Sequence, residues 1–121
     1  MASEGLHEAA ELLDEATIDR HRAITSLIEE LEAIDWYDQR VHATRDAEVA
    51  SVLAHNRDDE KEHAAMALEW IRRHDPAFDA QLRLYLFTSG PIVSVEDAGG
   101  AAETTPPSAG DLGIGSLRGV S

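Results

Sequence analysis

The fold is decided by the stretch Asp59-Glu60-Lys61-Glu62-His63. At about 100° per residue in a helix, Glu60 and His63 point to the same side as four apolar residues, Val49, Leu53, Ala67 and Ile71. A helix buries that apolar side, and charged side chains are almost never buried unless they are paired or bind a metal. A carboxylate and an imidazole one turn apart on an apolar face therefore predict a metal site.

The composition limits the class of protein. The chain has 121 residues, no cysteine and a formal net charge of −14. We expect one domain at this length, and a chain without cysteine has no disulfide, thiolate zinc site or cysteine nucleophile. The acidic balance argues against nucleic-acid binding and fits a protein that attracts cations, although an ordinary acidic surface carries the same charge.

We expect neither a membrane span nor a secretion signal. No apolar run approaches the roughly 20 residues of a membrane span. The first residues, Met1-Ala2-Ser3-Glu4, lack the basic and apolar regions of a signal peptide. We expect a soluble cytoplasmic protein.

Apolar spacing and capping residues predict three helices. The first covers about residues 6–41, where apolar residues recur at steps of three and four. The second follows Asp46, a predicted N-cap, and runs to about residue 74. The third is short: Asp75 caps it, proline is its first residue, and it ends by about residue 88.

The composition changes after Ile92. Residues 93–110 are rich in Gly, Pro, Ser and Thr and predict a flexible linker. Residues 111–121 carry Leu112, Ile114 and Leu117, with glycine between them. We therefore predict a helical domain over residues 1–92, then the linker, then a short apolar peptide.

The predicted fold class is all-α, with two long antiparallel helices and a short C-terminal helix. Such a hairpin has one apolar seam and few residues to cover it, so we expect two copies to dimerise into a ferritin-like four-helix bundle.

The number of predicted metal ligands in one chain also indicates a dimer. A di-iron carboxylate bundle needs a Glu from each of two helices and a Glu-x-x-His from each of the other two. One chain supplies half of that set, because Glu30 lies at the edge of the apolar face of the first helix.

Other residues near this predicted site have more than one interpretation. Glu60 and His63 themselves could pair with arginine or line a solvated edge instead of binding metal. Tyr37 follows Glu30 by two turns and is either a hydrogen-bond partner of a ligand or a packing tyrosine. Three residues share an exposed face that could collect cations or be an ordinary solvated face: Glu29, Glu32 and Trp36.

Two segments carry a resemblance to a known family. They are Glu29-Glu30-Leu31-Glu32-Ala33-Ile34-Asp35-Trp36-Tyr37 and His55-Asn56-Arg57-Asp58-Asp59-Glu60-Lys61-Glu62-His63-Ala64-Ala65-Met66, the latter followed by Leu68-Glu69-Trp70-Ile71-Arg72-Arg73. Over about residues 6–92 the chain resembles the encapsulated ferritins, which are two-helix ferroxidases housed inside encapsulin shells. The resemblance implies an annular decamer, a pentamer of dimers, with a di-iron site at a dimer interface.

The resemblance also implies roles for individual residues. Glu30, Glu60 and His63 match the ferroxidase ligands. Tyr37 matches the tyrosine beside the ligand Glu, and an outer site where metal enters is matched by Glu29, Glu32 and Trp36. The segment Asp111-Leu112-Gly113-Ile114-Gly115-Ser116-Leu117-Arg118 resembles an encapsulin cargo-loading peptide, although a disordered tail would have the same composition.

The expected function is a ferroxidase that oxidises Fe(II) with oxygen between two chains and delivers Fe(III) for storage. The expected partners are a second copy of the chain and an encapsulin shell, and the expected location is an encapsulin compartment in the cytoplasm. Two alternative functions stay open. One is a non-catalytic helical scaffold that binds cations, and the other is a di-iron oxidase or peroxidase with a different electron acceptor.

Overall fold

The computed structural model describes residues 5–96, which form helices and no strand. Three α-helices follow one another: α1 (Glu15–Ala43), α2 (Ala47–Arg73) and α3 (Pro76–Tyr85). Single turns of 3₁₀ helix lie at Ala10–Leu12 and Ile92–Ser94. The predicted all-α class is confirmed. Within residues 5–96, none of the helices combines the length and the apolar character that a membrane crossing needs.

The start of α1 differs from the prediction. A helix from residue 6 was wrong, because α1 begins at Glu15, nine residues later. Asp14 is the N-cap: its backbone is extended, and its carboxylate accepts a hydrogen bond from the Thr17 N–H at 2.8 Å. An N-cap with extended backbone ends the helix on its N-terminal side. At 29 residues, α1 is therefore about 44 Å long, whereas the predicted helix over residues 6–41 would be about 54 Å long.

The predicted start of α2 is confirmed. Asp46 has extended backbone, and its carboxylate accepts a hydrogen bond from the Val49 N–H at 2.8 Å. The predicted end is confirmed as well, because α2 ends at Arg73 and the His74 N–H donates to the Ile71 carbonyl.

The third helix begins as predicted and ends early. Asp75 caps it by accepting a hydrogen bond from the Phe78 N–H at 3.0 Å. It stops at Tyr85, three residues before the predicted end. Phe87 explains this difference: its φ of +63° is left-handed and cannot continue a right-handed helix.

The hairpin of α1 and α2 buries little of its apolar surface. Among the described residues, only Ala64, Ile71 and Val95 are buried. The predicted apolar face of α2 is therefore only partly covered within one chain, since Ile71 is buried whereas Val49 is 46% exposed. Several other large apolar side chains of the two helices are exposed too, namely Ile24, Leu31, Val52 and Met66.

The chain divides into two compact units after Asp79, and α1, α2 and the side-chain clusters discussed below lie in the first. The second unit holds the rest of α3 and the Ile92–Ser94 turn. The predicted linker, 93–110, and the apolar peptide, 111–121, lie outside the described residues except for 93–96. The predicted division into these three segments therefore stays a prediction.

A cluster of charged side chains lies at the C-terminal end of α2. Arg72 donates to both carboxylate oxygens of Glu69, at 2.8 Å and 2.7 Å, and Arg73 donates to the same carboxylate at 2.7 Å. Arg72 also donates to Asp79 in α3. The hydrogen bonds from Arg72 and then from Arg73 lower the pKa of Glu69 to about 2.

This cluster predicts acid sensitivity. The folded pKa of Glu69 is lower than the 4.5 of a free carboxyl, so Glu69 stabilises the fold above pH 4.5 and loses that effect as the pH falls towards 2. We expect Glu69→Gln to lower the free energy of unfolding by about 1 kcal/mol at pH 7, because the carboxylate is partly screened by water.

Thermal unfolding followed by circular dichroism tests this expectation. The difference between wild type and Glu69→Gln should shrink as the pH falls from 4.5 to 2. The control is Glu62→Gln, which changes an exposed glutamate of the same helix outside this cluster. An equally large Glu69→Gln effect at pH 7 and pH 2 would contradict the assignment.

Candidate metal centre

Three side chains converge between the two long helices: Glu30 from α1, and Glu60 and His63 from α2. His63 Nδ1 lies 3.1 Å from Glu60 Oε1 and 3.6 Å from Glu30 Oε1. One ligand atom from each residue lies within 4.8 Å of the other two. Within residues 5–96, no other group of three His, Asp or Glu side chains converges in this way.

Local and tertiary structure each contribute to this cluster. The three-residue spacing of Glu60 and His63 places them one turn apart on the same face of α2. Glu30 comes from α1, which the tight connection at residues 44–46 folds back against α2. The side chains of Glu30 and Glu60 are 28% and 25% exposed, but His63 is 48% exposed. Within one chain the cluster is therefore open on the His63 side.

The electrostatics of the cluster favour a cation. A hydrogen bond between the two carboxyl groups raises the pKa of Glu30 and lowers that of Glu60. Glu60 also accepts from His63, and this bond raises the pKa of the imidazole. Two carboxylates so close together repel each other unless a positive charge lies between them. A proton or a bound metal ion can supply that charge.

The nearest arginine on the same face does not neutralise Glu60. Arg57, one turn before Glu60, pairs with Asp38 at 2.9 Å and with Asp58 at 3.0 Å. The hydrogen-bond partners of Glu60 are Glu30 and His63. Two carboxylates and an imidazole therefore face one another, and these are donors that suit Fe, Mn or Zn.

The other predicted site residues lie outside the cluster in the described chain. Glu29 and Trp36 are exposed and Glu32 is half-buried, on the face of α1 where their spacing places them. Tyr37 is half-buried, and the guanidinium carbon of Arg40 lies 5.4 Å from its ring centroid. The roles predicted for these four residues stay predictions.

Sequence reasoning missed two features near the cluster. One is the contact of Arg40 with Tyr37, and the other is the ion pair of Arg57 with Asp38 across the two helices. The sequence spacing does place Arg57 near the site, since Arg57 precedes Glu60 by three residues and shares its face. Nothing in the spacing identified Asp38 as its partner.

A helical hairpin with a carboxylate and imidazole cluster between its helices is typical of ferritin-like proteins. The EncFtn-like family model matches residues 5–89, and the chain belongs to that family, the encapsulated ferritin-like proteins. The resemblance predicted from the two sequence segments is confirmed.

Curated relatives agree with this assignment. The chain is 54% identical to the encapsulated ferritin-like protein of Rhodospirillum rubrum, over 98% of this chain and 91% of that protein. It is 50% identical to a ferritin-like protein of Thermotoga maritima, over 92% and 96% of the two chains. It is 38% identical to the encapsulin nanocompartment cargo protein EncC of Myxococcus xanthus, over 74% and 76%.

A solved structure has the same fold. The crystal structure of a protein from Nitrosomonas europaea is 62% identical in sequence and superposes with a TM-score of 0.71. The match covers 74% of this chain and 98% of that one.

Proposed function

We propose that this protein is a ferroxidase, which oxidises Fe(II) to Fe(III) with oxygen at a di-iron site shared between two chains. The observation that carries the proposal is the convergence of Glu30, Glu60 and His63 to within 4.8 Å in a chain of the EncFtn-like family. Iron is the substrate here: it binds as Fe(II), gives one electron and leaves as Fe(III).

The donor atoms suit this reaction. Carboxylate oxygen and imidazole nitrogen bind iron, and the negative carboxylates stabilise the higher charge of Fe(III). Each chain supplies one Glu from α1 and one Glu-x-x-His from α2. Two chains supply the full ligand set of a di-iron carboxylate bundle. With two Fe(II) ions bound, one electron from each passes to oxygen.

The open side of the cluster supports a site completed by a second copy. His63 is the most exposed of the three side chains, at 48%. Exposed apolar residues lie on the same two helices, among them Leu31, Val52 and Met66. A second hairpin against this surface would cover them and bring its own three ligands. The annular decamer, a pentamer of such dimers, is part of this proposal and rests on the family resemblance.

Other residues take supporting roles in the proposal. Glu29, Glu32 and Trp36 form an outer site where Fe(II) enters, because acidic groups on a surface raise the local concentration of cations. Tyr37 follows Glu30 by two turns of α1 and assists the catalytic ligands from beside the site.

An encapsulin shell is the proposed partner and location. One relative is named as an encapsulin nanocompartment cargo protein. In this chain, residues 111–118 are the proposed loading peptide, in which leucine and isoleucine spaced by glycine can dock as an extended segment. An open ring of hairpins cannot enclose mineral, so Fe(III) made by the ring is stored inside the shell.

Anaerobic loading followed by air tests the ferroxidase proposal. Fe(II) is added to the protein without oxygen, and oxygen uptake and Fe(III) absorbance are then recorded as air enters. A ferroxidase consumes oxygen as Fe(III) forms. A cation-binding scaffold would bind Fe(II) without faster oxidation, and an enzyme with another acceptor would take up little oxygen; either result would refute the proposal.

Metal should also drive association. A metal that bridges two chains binds the dimer and not the free monomer, so it stabilises the dimer by mass action. We expect Fe(II), or redox-inert Zn(II), to shift the population towards larger species in native mass spectrometry. His63→Ala should respond much less. If the oligomer distribution does not change with metal concentration, association does not depend on metal.

A further inference from the structure

An ion pair joins α1 to α2 near the metal cluster, about one turn from it along α2 and about two turns from it along α1. Arg57 donates from Nη1 to Asp38 on α1 at 2.9 Å, and from Nε to Asp58 at 3.0 Å. The Arg57 side chain is 22% exposed and that of Asp38 is 66% exposed. Among residues 5–96, two ion pairs connect α1 to α2: this one and the pair of Glu30 with His63. The guanidinium is therefore held between the helices and not free in solvent.

The apolar contacts between α1 and α2 define their register poorly. No residue of α1 is buried, and α2 buries only Ala64 and Ile71. Apolar burial is non-directional, so a seam with so little of it resists sliding weakly. A charge-assisted hydrogen bond is different, because its donor and acceptor must lie about 3 Å apart.

The same register serves the ion pair and the metal cluster. A slip of one helical turn, about 5.4 Å, would separate Arg57 from Asp38. It would also carry Glu30 away from Glu60 and His63. Metal ligands must be held to within about 0.5 Å of their working positions, so whatever resists this slip also preserves the site.

We propose that Arg57 and Asp38 are positioning residues for the metal cluster. Their ion pair holds α1 and α2 in the register that brings Glu30 to Glu60 and His63. Arginine suits this role because its planar fork donates in two fixed directions. Asp58 holds Nε and thereby directs Nη1 across the seam to Asp38. The inference rests on the proposed function in one respect, namely that the cluster binds metal.

Electrostatics alone predicts that loss of Arg57 and loss of Asp38 change metal binding in opposite directions. Removing the charge of Arg57 makes the surroundings of the cluster more negative, which would strengthen cation binding. Removing the charge of Asp38 would weaken it. A positioning role weakens metal binding in both cases, and the double variant should be no worse than either single variant because both changes break the same bond.

Co(II) titration of the full chain tests the inference without any oxidation. The d–d absorption of bound Co(II) reports both affinity and coordination. We expect Arg57→Met, which keeps the apolar stem of the side chain, and Asp38→Ala each to weaken binding about tenfold, as loss of a group supporting a metal ligand does. The control is Arg22→Met, which breaks the exposed Arg22–Asp19 pair within α1 and should bind Co(II) as wild type does.

Each outcome decides a different question. Wild-type or tighter binding by Arg57→Met, with helix content unchanged, overturns the positioning role. If Arg57→Met loses helix content, Asp38→Ala decides, since it places a good helix former at an exposed position. A wild-type Co(II) spectrum that Glu60→Ala leaves unchanged would refute the proposed metal site instead.

Discussion

Glu60→Ala and His63→Ala are each expected to reduce Fe(II) oxidation by at least about 100-fold. In the proposed site, which two chains share, each substitution removes a ligand from both halves at once. The fold should survive Glu60→Ala, because loss of a carboxylate from a like-charged pair relieves repulsion. It should survive His63→Ala because that side chain is 48% exposed. The measurement is the initial rate at which the Fe(III) absorbance increases after Fe(II) is mixed with the protein in air.

Matched variants separate the loss of a ligand from the loss of a charge or a ring. Glu48→Ala removes an exposed glutamate from the first turn of α2. His55→Ala removes an exposed histidine that pairs with Asp59 at 3.3 Å. Both should oxidise Fe(II) at close to the wild-type rate. Near-normal oxidation by Glu60→Ala and His63→Ala together would refute the assignment of these residues as ligands.

Deletion of residues 111–121 is expected to abolish capture by a co-expressed encapsulin shell while Fe(II) oxidation and assembly are retained. All the proposed ligands lie in the helical region, far before this segment. The preceding residues are rich in Gly, Pro, Ser and Thr, the composition from which the linker is predicted. Purified shells should therefore contain the full chain and lack the truncated one, as measured by gel electrophoresis of their contents.

Three further proteins locate the loading signal. Changing the three apolar residues Leu112, Ile114 and Leu117 to serine should prevent packaging as deletion does. Changing Thr104, Thr105 and Ser108 in the linker to alanine should not. Fusing residues 111–121 to an unrelated soluble protein should direct that protein into the shell. Normal packaging of the truncated chain would show that the segment is not the loading signal.

Features that depend on neighbours along one helix were predictable from the sequence. Asp46 and Asp75 were identified as caps because a cap bonds to a backbone N–H only three residues away. Glu60 and His63 share a face because three residues make nearly one turn. The same local reasoning erred at Asp14 and Phe87. There the apolar pattern runs on, but a cap or a left-handed residue ends the helix.

Tertiary structure decided which helix faces meet. Helical spacing placed Glu30 on the edge of one face and Glu60 on another, but the distance between them depends on how α1 and α2 are aligned along their length. The same alignment pairs Arg57 with Asp38, which lie 19 residues apart in sequence. Periodicity reports the direction of a side chain around its own helix axis and carries no information on the register between two helices. That register comes from contacts that exist only after the hairpin has closed.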